Sequence, residues 1–312
     1  MNFLITLDCP KDCSFCFCKK SKDIMSFEDY KKYLNKLRSI TDKRYVSILG
    51  GEPTLHPQFD EIVRYTADDE NLIGMSIFSN LFGINSNTIE TIKHMFRNVK
   101  DSTLIWNNSE IEKFSEKKYL EIEDSIIEIV NEFYPSKIAM ALTVTDFDDV
   151  KEFEYIVETY KRLGIYRLRF AVDINSQSKF IGNSKIYVLL KYLLDYGIEV
   201  SPDRCGYLLR CYFNDRQFDE ICHRVKEFYM SCEDGTSEGD VLPNGTLIPC
   251  LPYMDSDSTL NIMDIKDLND IPIKFSSIYG TDVLKDFEDK SRDKMCNDCN
   301  HLKLCRGICP YV

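Results

Sequence analysis

The sequence predicts an α/β fold in two parts: a partial (β/α)6 TIM-like barrel, followed by a small cysteine-rich domain. Strand and helix patterns alternate over the first 200 residues, which indicates a parallel sheet with right-handed crossovers. Six strand–helix units are too few to close an eight-unit barrel, so we expect an open one. After residue 200, cysteine, glycine, aspartate and asparagine become frequent. We therefore expect one domain at 1–200 and a second at 201–312.

Each unit of the predicted barrel begins with an apolar strand pattern and continues with an amphipathic helix. Residues 3–8 predict the first buried strand, and Ser26 predicts the N-cap of a helix over 26–38. The other strands are predicted at 45–49, 73–79, 102–106, 137–145 and 166–174, and the other helices at 58–67, 87–97, 118–133, 148–163 and 184–196. In the second domain, residues 241–248 predict a hairpin that turns at Asn244-Gly245.

The composition excludes several classes of protein. The chain has 312 residues, of which 44% are hydrophobic and 29% charged, as in ordinary globular proteins. No apolar run is long enough to span a bilayer, and the N-terminus lacks a secretory signal, so we expect a cytoplasmic protein. The net charge of −12 argues against a nucleic-acid partner, because phosphate binding needs a basic face.

The 13 cysteines fall into two groups with metal-ligand spacings, and none lies between Cys18 and Cys205. A disulfide network would be expected to spread through the chain. In a cytosolic protein, clusters of this kind indicate bound metal.

The first group is a C-x3-C-x2-C motif formed by Cys9, Cys13 and Cys16, directly after the first predicted strand. Three thiolates can hold three irons of a cubane and leave the fourth open to a small molecule, as a catalytic metal requires. The alternative is a zinc knuckle, which would want a fourth thiolate or histidine. Cys18 is sterically awkward beside Cys16, and we expect it not to be a ligand.

Two motifs together resemble the radical S-adenosyl-L-methionine (SAM) superfamily: the cysteine motif with Phe15 before its last cysteine, and Gly50-Gly51-Glu52-Pro53 after the second strand. The resemblance covers residues 3–312. It implies that SAM completes a 4Fe-4S cluster, and that reductive cleavage of SAM releases a 5′-deoxyadenosyl radical which abstracts a substrate hydrogen. It also implies that the two glycines let the backbone approach the methionine moiety, and that the glutamate binds its ammonium group.

The resemblance implies further cofactor contacts. Ser79 and Asn80, at the end of the third strand, and Thr143 with Thr145, on the fifth, would face the ribose, while Arg169 would meet the carboxylate. The alternatives are a polar barrel lining for the threonines and a surface ion pair for Arg169.

Other polar residues have open roles. Asn107 and Asn108, at the end of the fourth strand, are either polar substrate contacts or a turn. No histidine is well placed as a base, so the sequence does not identify a catalytic acid or base.

The second cysteine group has the spacing C-x2-C-x5-C-x3-C and, with its upstream cysteines, is similar to the SPASM domain, which carries auxiliary 4Fe-4S clusters. The implied ligands are Cys232, Cys250 and Cys309 for a first auxiliary cluster and Cys296, Cys299 and Cys305 for a second. Cys222 is the nearest fourth ligand for the first cluster, with Cys205 and Cys211 as alternatives. The sequence ends at Val312, before the usual last ligand of the second cluster, so either one or two auxiliary clusters are expected. A zinc ribbon is the alternative.

The SPASM resemblance implies a peptide-modifying enzyme. Leu251 stands where sulfatase-maturing enzymes have a catalytic aspartate, which counts against that activity. Our leading hypothesis is hydrogen abstraction from a residue of a ribosomally made peptide, with thioether or carbon crosslink formation. The first strand starts at residue 3, so we expect no N-terminal leader-binding domain. Peptide recognition would then need the barrel mouth, the cysteine domain or a separate leader-binding protein. A flavodoxin or ferredoxin would supply electrons.

Two other functions are kept as alternatives. One is a radical SAM oxidoreductase that acts on a small metabolite. The other is an iron–sulfur or zinc module that senses redox state or carries electrons, although such a module has no use for the Gly50–Pro53 segment.

Overall fold

The computed structural model describes residues 1–41, 44–109, 115–203, 206, 208–226, 228, 239–254 and 259–279. These residues form two compact units, one from 1–138 with the described part of 234–280, the other from the described part of 139–233. The predicted ligands Cys232, Cys296, Cys299, Cys305 and Cys309, and the alternative Cys205, lie outside the described residues. The predicted domain boundary at residue 200 stays a prediction.

All six predicted strand–helix units are present. In chain order, the elements are β1 (Asn2–Thr6), α1 (Phe27–Ile40), β2 (Arg44–Gly50), α2 (Phe59–Ala67), β3 (Leu72–Ser79), α3 (Ser86–Asn98), β4 (Asp101–Asn107), α4 (Glu116–Glu132), β5 (Ile138–Val144), α5 (Glu154–Leu163), β6 (Arg167–Val172), α6 (Lys185–Asp195), β7 (Glu199–Pro202), α7 (Asp215–Ile221), β8 (Asp240–Val241), β9 (Leu247–Ile248) and α8 (Asp270–Tyr279).

In the first unit, the strands lie in the order β4-β3-β2-β1-β8-β9, and every neighbouring pair is parallel except the last. The register aligns Phe3, Ile48, Ile77 and Leu104 in one row, and all four side chains are fully buried. The carboxyl ends of β1 to β4 therefore meet at one edge of the sheet. The predicted cysteine loop and the Gly50–Pro53 segment lie at the ends of β1 and β2.

The first helix forms as the sequence predicts. The Ser26 side chain accepts a hydrogen bond from the Asp29 N–H, which caps α1, and Tyr30, Leu34 and Leu37 are buried on one face. The ring of Tyr30 lies edge-on to Phe3 of β1, with centroids 5.2 Å apart. This contact packs α1 against the sheet.

The second unit, taken by itself, contains three parallel strands in the order β7-β6-β5. The sequence did not predict β7, which has only 4 residues. The helix predicted at 148–163 begins later: a capping box of Asp149 and Glu152 starts a 3-10 turn, and the α-helix follows from Glu154.

The hairpin predicted at 241–248 is confirmed, with β8 and β9 antiparallel and Gly245 in a left-handed conformation (φ 83°) at the turn. Its first strand pairs with β1, so the hairpin extends the sheet of the first unit. Among the described helices, none has the length and apolar character needed to cross a membrane.

Candidate active site

The loop after β1 carries the three cysteines and is closed at its base. Leu7 N–H donates to the Asp23 carbonyl (2.9 Å), and Met25 N–H donates to that of Ile5 (2.8 Å). Both ends of the segment are therefore anchored to the strand, and the intervening residues form a projecting loop.

Within this loop, Cys16 N–H donates to the Cys13 carbonyl at 3.1 Å, which closes a tight turn around Phe15. Cys9 and Cys13 are half-buried and Cys16 is exposed. Three thiols on one short loop fit a 4Fe-4S cluster, in which each thiolate binds a different iron. No three Cys, His, Asp or Glu side chains in the described residues converge on a point that one metal ion could occupy, and a cubane does not require such convergence.

Cys9 is half-buried, and its thiol is influenced by several neighbouring groups. Burial raises the pKa of its thiol, the Lys11 backbone N–H opposes that rise, and the Glu52 carboxylate adds to it. The Asn80 side-chain amide donates to the Cys9 sulfur at 3.7 Å. Hydrogen bonds to cluster sulfurs are one means by which proteins set cluster potentials, so this contact suits a ligand.

The two glycines after β2 are required by the backbone of the cysteine loop. A Cβ on Gly50 would lie 2.1 Å from the Thr6 carbonyl oxygen, and one on Gly51 would lie 2.2 Å from that of Asp8. Gly51 N–H donates to the Thr6 carbonyl (2.7 Å) and Glu52 N–H to that of Asp8 (2.7 Å). The glycines thus let the end of β2 lie directly against the residues that precede Cys9, a role that the sequence analysis did not foresee.

The Glu52 carboxylate is fully buried and is oriented by donors from two loops. Its Oε1 accepts from Thr54 N–H (3.0 Å) and from the hydroxyls of Thr54 and Ser79, while Oε2 accepts from Asn80 N–H (2.8 Å). Burial raises the pKa of Glu52, and these hydrogen bonds act in the opposite direction. Pro53 begins the short 3-10 turn that Glu52 caps.

Ser79 and Asn80, predicted to face the ribose, make the contacts that join β3 to Glu52. The Ser79 hydroxyl also accepts from Leu81 N–H (2.8 Å), and Leu81 has a positive φ of 63°. Non-glycine residues rarely adopt this conformation, and such strain concentrates at functional sites.

The two asparagines at the end of β4 differ from each other. Asn107 Oδ1 accepts from Ser109 N–H at 3.1 Å, which makes a local turn. Asn108 is 1% exposed, and among the described residues neither its amide nitrogen nor its amide oxygen has a hydrogen-bond partner. A buried amide without partners is costly, so Asn108 is a candidate for ligand contact.

Lys11 is a site residue that the sequence analysis missed. It lies between Cys9 and Cys13, is 5% exposed, and its Nζ donates to the Ser109 carbonyl at 2.7 Å. The only signal in the sequence was a lysine inside the cysteine spacing, which by itself reads as a solvated side chain.

Thr143, Thr145 and Arg169 belong to the second unit. Thr143 lies on β5, Thr145 follows it, and both are half-buried. Arg169 on β6 forms an ion pair with Asp203 at 2.9 Å. Their contacts with a cofactor stay predictions.

The described cysteines of the predicted auxiliary sites are also divided between the units. Cys250 is buried in the first unit. In the second, Cys211 lies in a 3-10 turn and Cys222 follows α7, both half-buried. Their role as ligands stays a prediction.

Cys18 lies in an apolar cluster with Leu4 and Leu7, against which Leu251 and Met254 pack. Burial raises the pKa of its thiol to about 12. A thiol held protonated in apolar surroundings is inert, which supports the prediction that Cys18 is not a ligand.

Comparison with known proteins agrees with this geometry. Residues 3–104 match the family model described as the radical SAM superfamily. A search of curated proteins found no match.

Among solved structures, SuiB of Streptococcus suis bound to S-adenosylmethionine is similar, with a TM-score of 0.61 at 18% identity over 99% of this chain and 72% of SuiB. SuiB bound to its precursor peptide SuiA has a TM-score of 0.60 at 17% identity, over 99% of this chain and 71% of that one. The protein anSMEcpe with bound AdoMet and the Cp18Cys peptide has a TM-score of 0.61 at 18% identity, over 99% of this chain and 88% of anSMEcpe.

These likenesses show the fold, and they confirm the α/β, partial-barrel class predicted from the sequence. The family match spans β1 to β3 and most of β4, together with the cysteine loop and the Gly50–Pro53 segment. Over residues 3–104, the chain therefore carries a match to the radical SAM domain.

Proposed function

We propose that this radical SAM enzyme cleaves SAM at a 4Fe-4S cluster held by Cys9, Cys13 and Cys16, and abstracts hydrogen from a residue of a peptide. The observation that carries the proposal is the position of Asn80. Its backbone N–H donates to Glu52 and its side chain donates to Cys9, so one residue joins the two motifs. This link supports the proposal that the cluster site and the methionine site lie together at one edge of one sheet.

Glu52 is the group proposed to bind the methionine ammonium. Its Oε1 already accepts from Thr54 and Ser79, whereas Oε2 accepts from Asn80 N–H in the described structure. A carboxylate oxygen accepts about two hydrogen bonds, so Oε2 has capacity for an ammonium donor. When bound, the cluster supplies the electron that cleaves the sulfonium. The protein's residues hold the cofactor and exclude water.

A peptide substrate is supported by the neighbours of similar fold. SuiB was solved with its precursor peptide SuiA, and anSMEcpe with the Cp18Cys peptide. The product that we propose is a thioether or carbon crosslink. Asn108 supports a substrate of this class, because its unpaired amide presents both a donor and an acceptor, as a peptide group does.

The auxiliary clusters belong to the same proposal. Removing one hydrogen atom leaves a substrate radical, and crosslinking requires loss of a further electron and proton. We propose that Cys222, Cys232, Cys250, Cys296, Cys299, Cys305 and Cys309 hold one or two clusters that accept this electron. A flavodoxin or ferredoxin would reduce the radical SAM cluster, and a separate protein would bind the leader of the precursor.

Metal analysis tests the cluster content. Anaerobically reconstituted protein with one cluster contains about four irons per chain, and auxiliary clusters raise this to about eight or twelve. Stoichiometric zinc without iron would contradict the proposal and favour a zinc module.

The experiment that tests the peptide reaction measures transfer of deuterium from a labelled peptide to 5′-deoxyadenosine. Candidate precursor peptides encoded beside the gene are made with deuterium at the reactive residue type and incubated with the reduced enzyme and SAM. We expect deuterium in 5′-deoxyadenosine and a peptide that has lost two hydrogens. Deuterium transfer from a labelled metabolite, with every peptide unchanged, would favour the small-molecule alternative.

A further inference from the structure

The side-chain amide of Asn80, the residue that follows β3, is fixed at both ends. Asn80 is buried, with 7% of its surface exposed. Its Oδ1 accepts from Phe82 N–H at 3.0 Å, and its Nδ2 donates to the Cys9 sulfur at 3.7 Å. Because a backbone N–H requires an acceptor, the amide oxygen faces Phe82 and the NH2 group faces Cys9. The turn after β3 therefore decides that the Cys9 sulfur meets a donor.

The backbone that carries this amide is held just as firmly. Asn80 N–H donates to Glu52 Oε2 (2.8 Å), and the Ser79 hydroxyl accepts from Leu81 N–H (2.8 Å). Leu81 is fully buried and has a φ of 63°, a conformation that a non-glycine residue keeps only where its surroundings impose it. Asn80 thus has little freedom to turn its NH2 group away from Cys9.

A hydrogen bond to a cysteine ligand acts on an iron–sulfur cluster through electrostatics. Reduction adds one electron to a cluster that its thiolates already make negative, so a donor at a thiolate sulfur stabilises the reduced form more than the oxidised form. The effect is larger for a buried donor, because water screens it less. Hydrogen bonds to the sulfurs are among the factors that set cluster potentials.

We propose that Asn80 is a positioning residue whose NH2 group donates to the Cys9 thiolate and thereby raises the reduction potential of the cluster. This role differs from the ribose contact predicted for Asn80 from the sequence. The electron comes from the flavodoxin or ferredoxin of the proposed function, and Asn80 neither gains nor loses a proton. The inference rests on that proposed function, because it requires the cluster at Cys9, Cys13 and Cys16.

The test is a redox titration of the anaerobically reconstituted cluster without SAM, with EPR detection of the reduced form at equal iron content. Asn80→Asp keeps an oxygen for Phe82 N–H but replaces the donor with an acceptor, and a pH of about 8 favours its ionised form. Asn80→Ala removes both contacts. The matched control is Asn107→Ala, which removes an equivalent turn after β4, where Asn107 Oδ1 accepts from Ser109 N–H at 3.1 Å.

At the wild-type midpoint, we expect the ratio of reduced to oxidised cluster to fall about tenfold in Asn80→Ala. This fall corresponds to a shift of about −59 mV for a one-electron couple. The ratio should fall at least as far in Asn80→Asp, because a carboxylate beside the sulfur disfavours the added electron. Asn107→Ala should match wild type.

A wild-type ratio in Asn80→Asp would overturn the inference, because that variant keeps the turn and loses only the donor. An equal fall in Asn107→Ala would also overturn it, since the shift would then follow from loss of a turn. If Asn80→Asp takes up no iron, Asn80→Ala carries the test with the same outcomes. A wild-type protein that assembles no four-iron cluster would instead contradict the proposed function, whereas a cluster whose potential is insensitive to Asn80 contradicts this inference alone.

Discussion

Single residues at the ends of three strands, β1, β2 and β3, determine the candidate site. Glu52 is held by Thr54, Ser79 and Asn80, and Asn80 in turn reaches Cys9. The glutamate and the first cysteine are therefore linked through one intermediate residue. A change at any of these positions is expected to disturb both the proposed methionine site and the cysteine loop.

The close approach of β2 to the cysteine loop yields a stability prediction. Gly51→Ala would place a Cβ 2.2 Å from the Asp8 carbonyl oxygen, at a position whose φ is not left-handed. The matched control is Gly182→Ala. Gly182 has φ 71°, and no atom of the described residues lies within 4 Å of the added Cβ. We expect a loss in free energy of unfolding of about 3 kcal/mol for Gly51→Ala from the clash, and about 1 kcal/mol for Gly182→Ala from the backbone.

Urea denaturation of the metal-free variants measures both losses. An equal or smaller loss at Gly51 would contradict the steric role assigned to that glycine. Iron uptake should also fall in Gly51→Ala, because Asp8 directly precedes Cys9.

Substitution of Asn108 provides a second prediction about a single residue. Because its buried amide has no hydrogen-bond partner in the part of the chain that the structure describes, Asn108→Leu is expected to raise the free energy of unfolding by about 1 kcal/mol. The neighbouring Asn107→Leu loses a hydrogen bond to Ser109 N–H and is expected to lower it by about 1 kcal/mol. Deuterium transfer from the peptide should fall at least tenfold in Asn108→Leu. A variant that is more stable yet fully active would show that Asn108 does not contact the substrate.

The residues of the candidate site were easier to predict from the sequence than the groups that they contact. The spacing of Cys9, Cys13 and Cys16 and the Gly50–Pro53 segment are local in sequence, so inspection found them. The carbonyls that exclude a Cβ at the two glycines, and the carbonyl that binds Lys11, come from other strands. Contacts of this kind depend on strand register, which the sequence does not reveal.

At the level of elements, a buried ion-pair network joins α1, the end of α2 and the start of β2. Asp69 accepts from Arg44 through both carboxylate oxygens (2.8 Å each) and from Arg38 Nε at 3.1 Å. The side chains of Asp69 and Arg44 are only 6% and 3% exposed. The network fixes these elements at the amino-terminal edge of the sheet, opposite the candidate site.

The pH dependence of this network is predictable in sign. Burial acts to raise the pKa of Asp69, but hydrogen bonds from Arg44, Asn71 N–H and Arg38 outweigh it and hold the pKa below its usual 3.8. The stabilisation from this network is therefore complete at pH values above the pKa of Asp69 in the unfolded chain. It is lost as the pH falls through the lower pKa of Asp69 in the folded protein. Asp69→Asn is expected to lower the free energy of unfolding by about 3 kcal/mol at pH 7, and by less near pH 3.

Urea unfolding of metal-free protein at the two pH values tests this expectation. The control is Asp68→Asn, which removes an exposed pair with His94 and is expected to cost under about 1 kcal/mol. If the free energy of unfolding differs between wild type and Asp69→Asn by the same amount at both pH values, the low pKa assigned to Asp69 would be contradicted.

Elements with a clear period were predictable, and irregular or short ones were not. The helix over 27–40 follows from its N-cap and its buried face, both visible in sequence. The strand β7 has 4 residues with alternating burial, too short for periodicity to distinguish from a loop. The start of α5 was placed too early because Asp149 and Glu152 cap a 3-10 turn rather than the α-helix itself.

For the whole molecule, the family match and the fold agree with the order of motifs along the chain. The hairpin of β8 and β9 extends the sheet through β1, and Cys18 packs with Leu251 and Met254 from the segment that follows it. The residues around Cys250 are therefore packed beside the cysteine loop within one unit. The sequence predicts the two segments in different domains because its composition changes after residue 200. A contact between residues more than 200 positions apart is not visible in such a pattern.

The measurement that tests the central claim most directly is formation of 5′-deoxyadenosine from SAM by the anaerobically reconstituted and chemically reduced protein. The claim predicts product from wild type and from Cys18→Ala, whose thiol lies in the apolar cluster. It predicts no product from the Cys9→Ala, Cys13→Ala, Cys16→Ala triple variant at matched protein concentration. Product from the triple variant, or none from a wild type that contains the cluster, would contradict the claim that these three cysteines hold the iron that cleaves SAM.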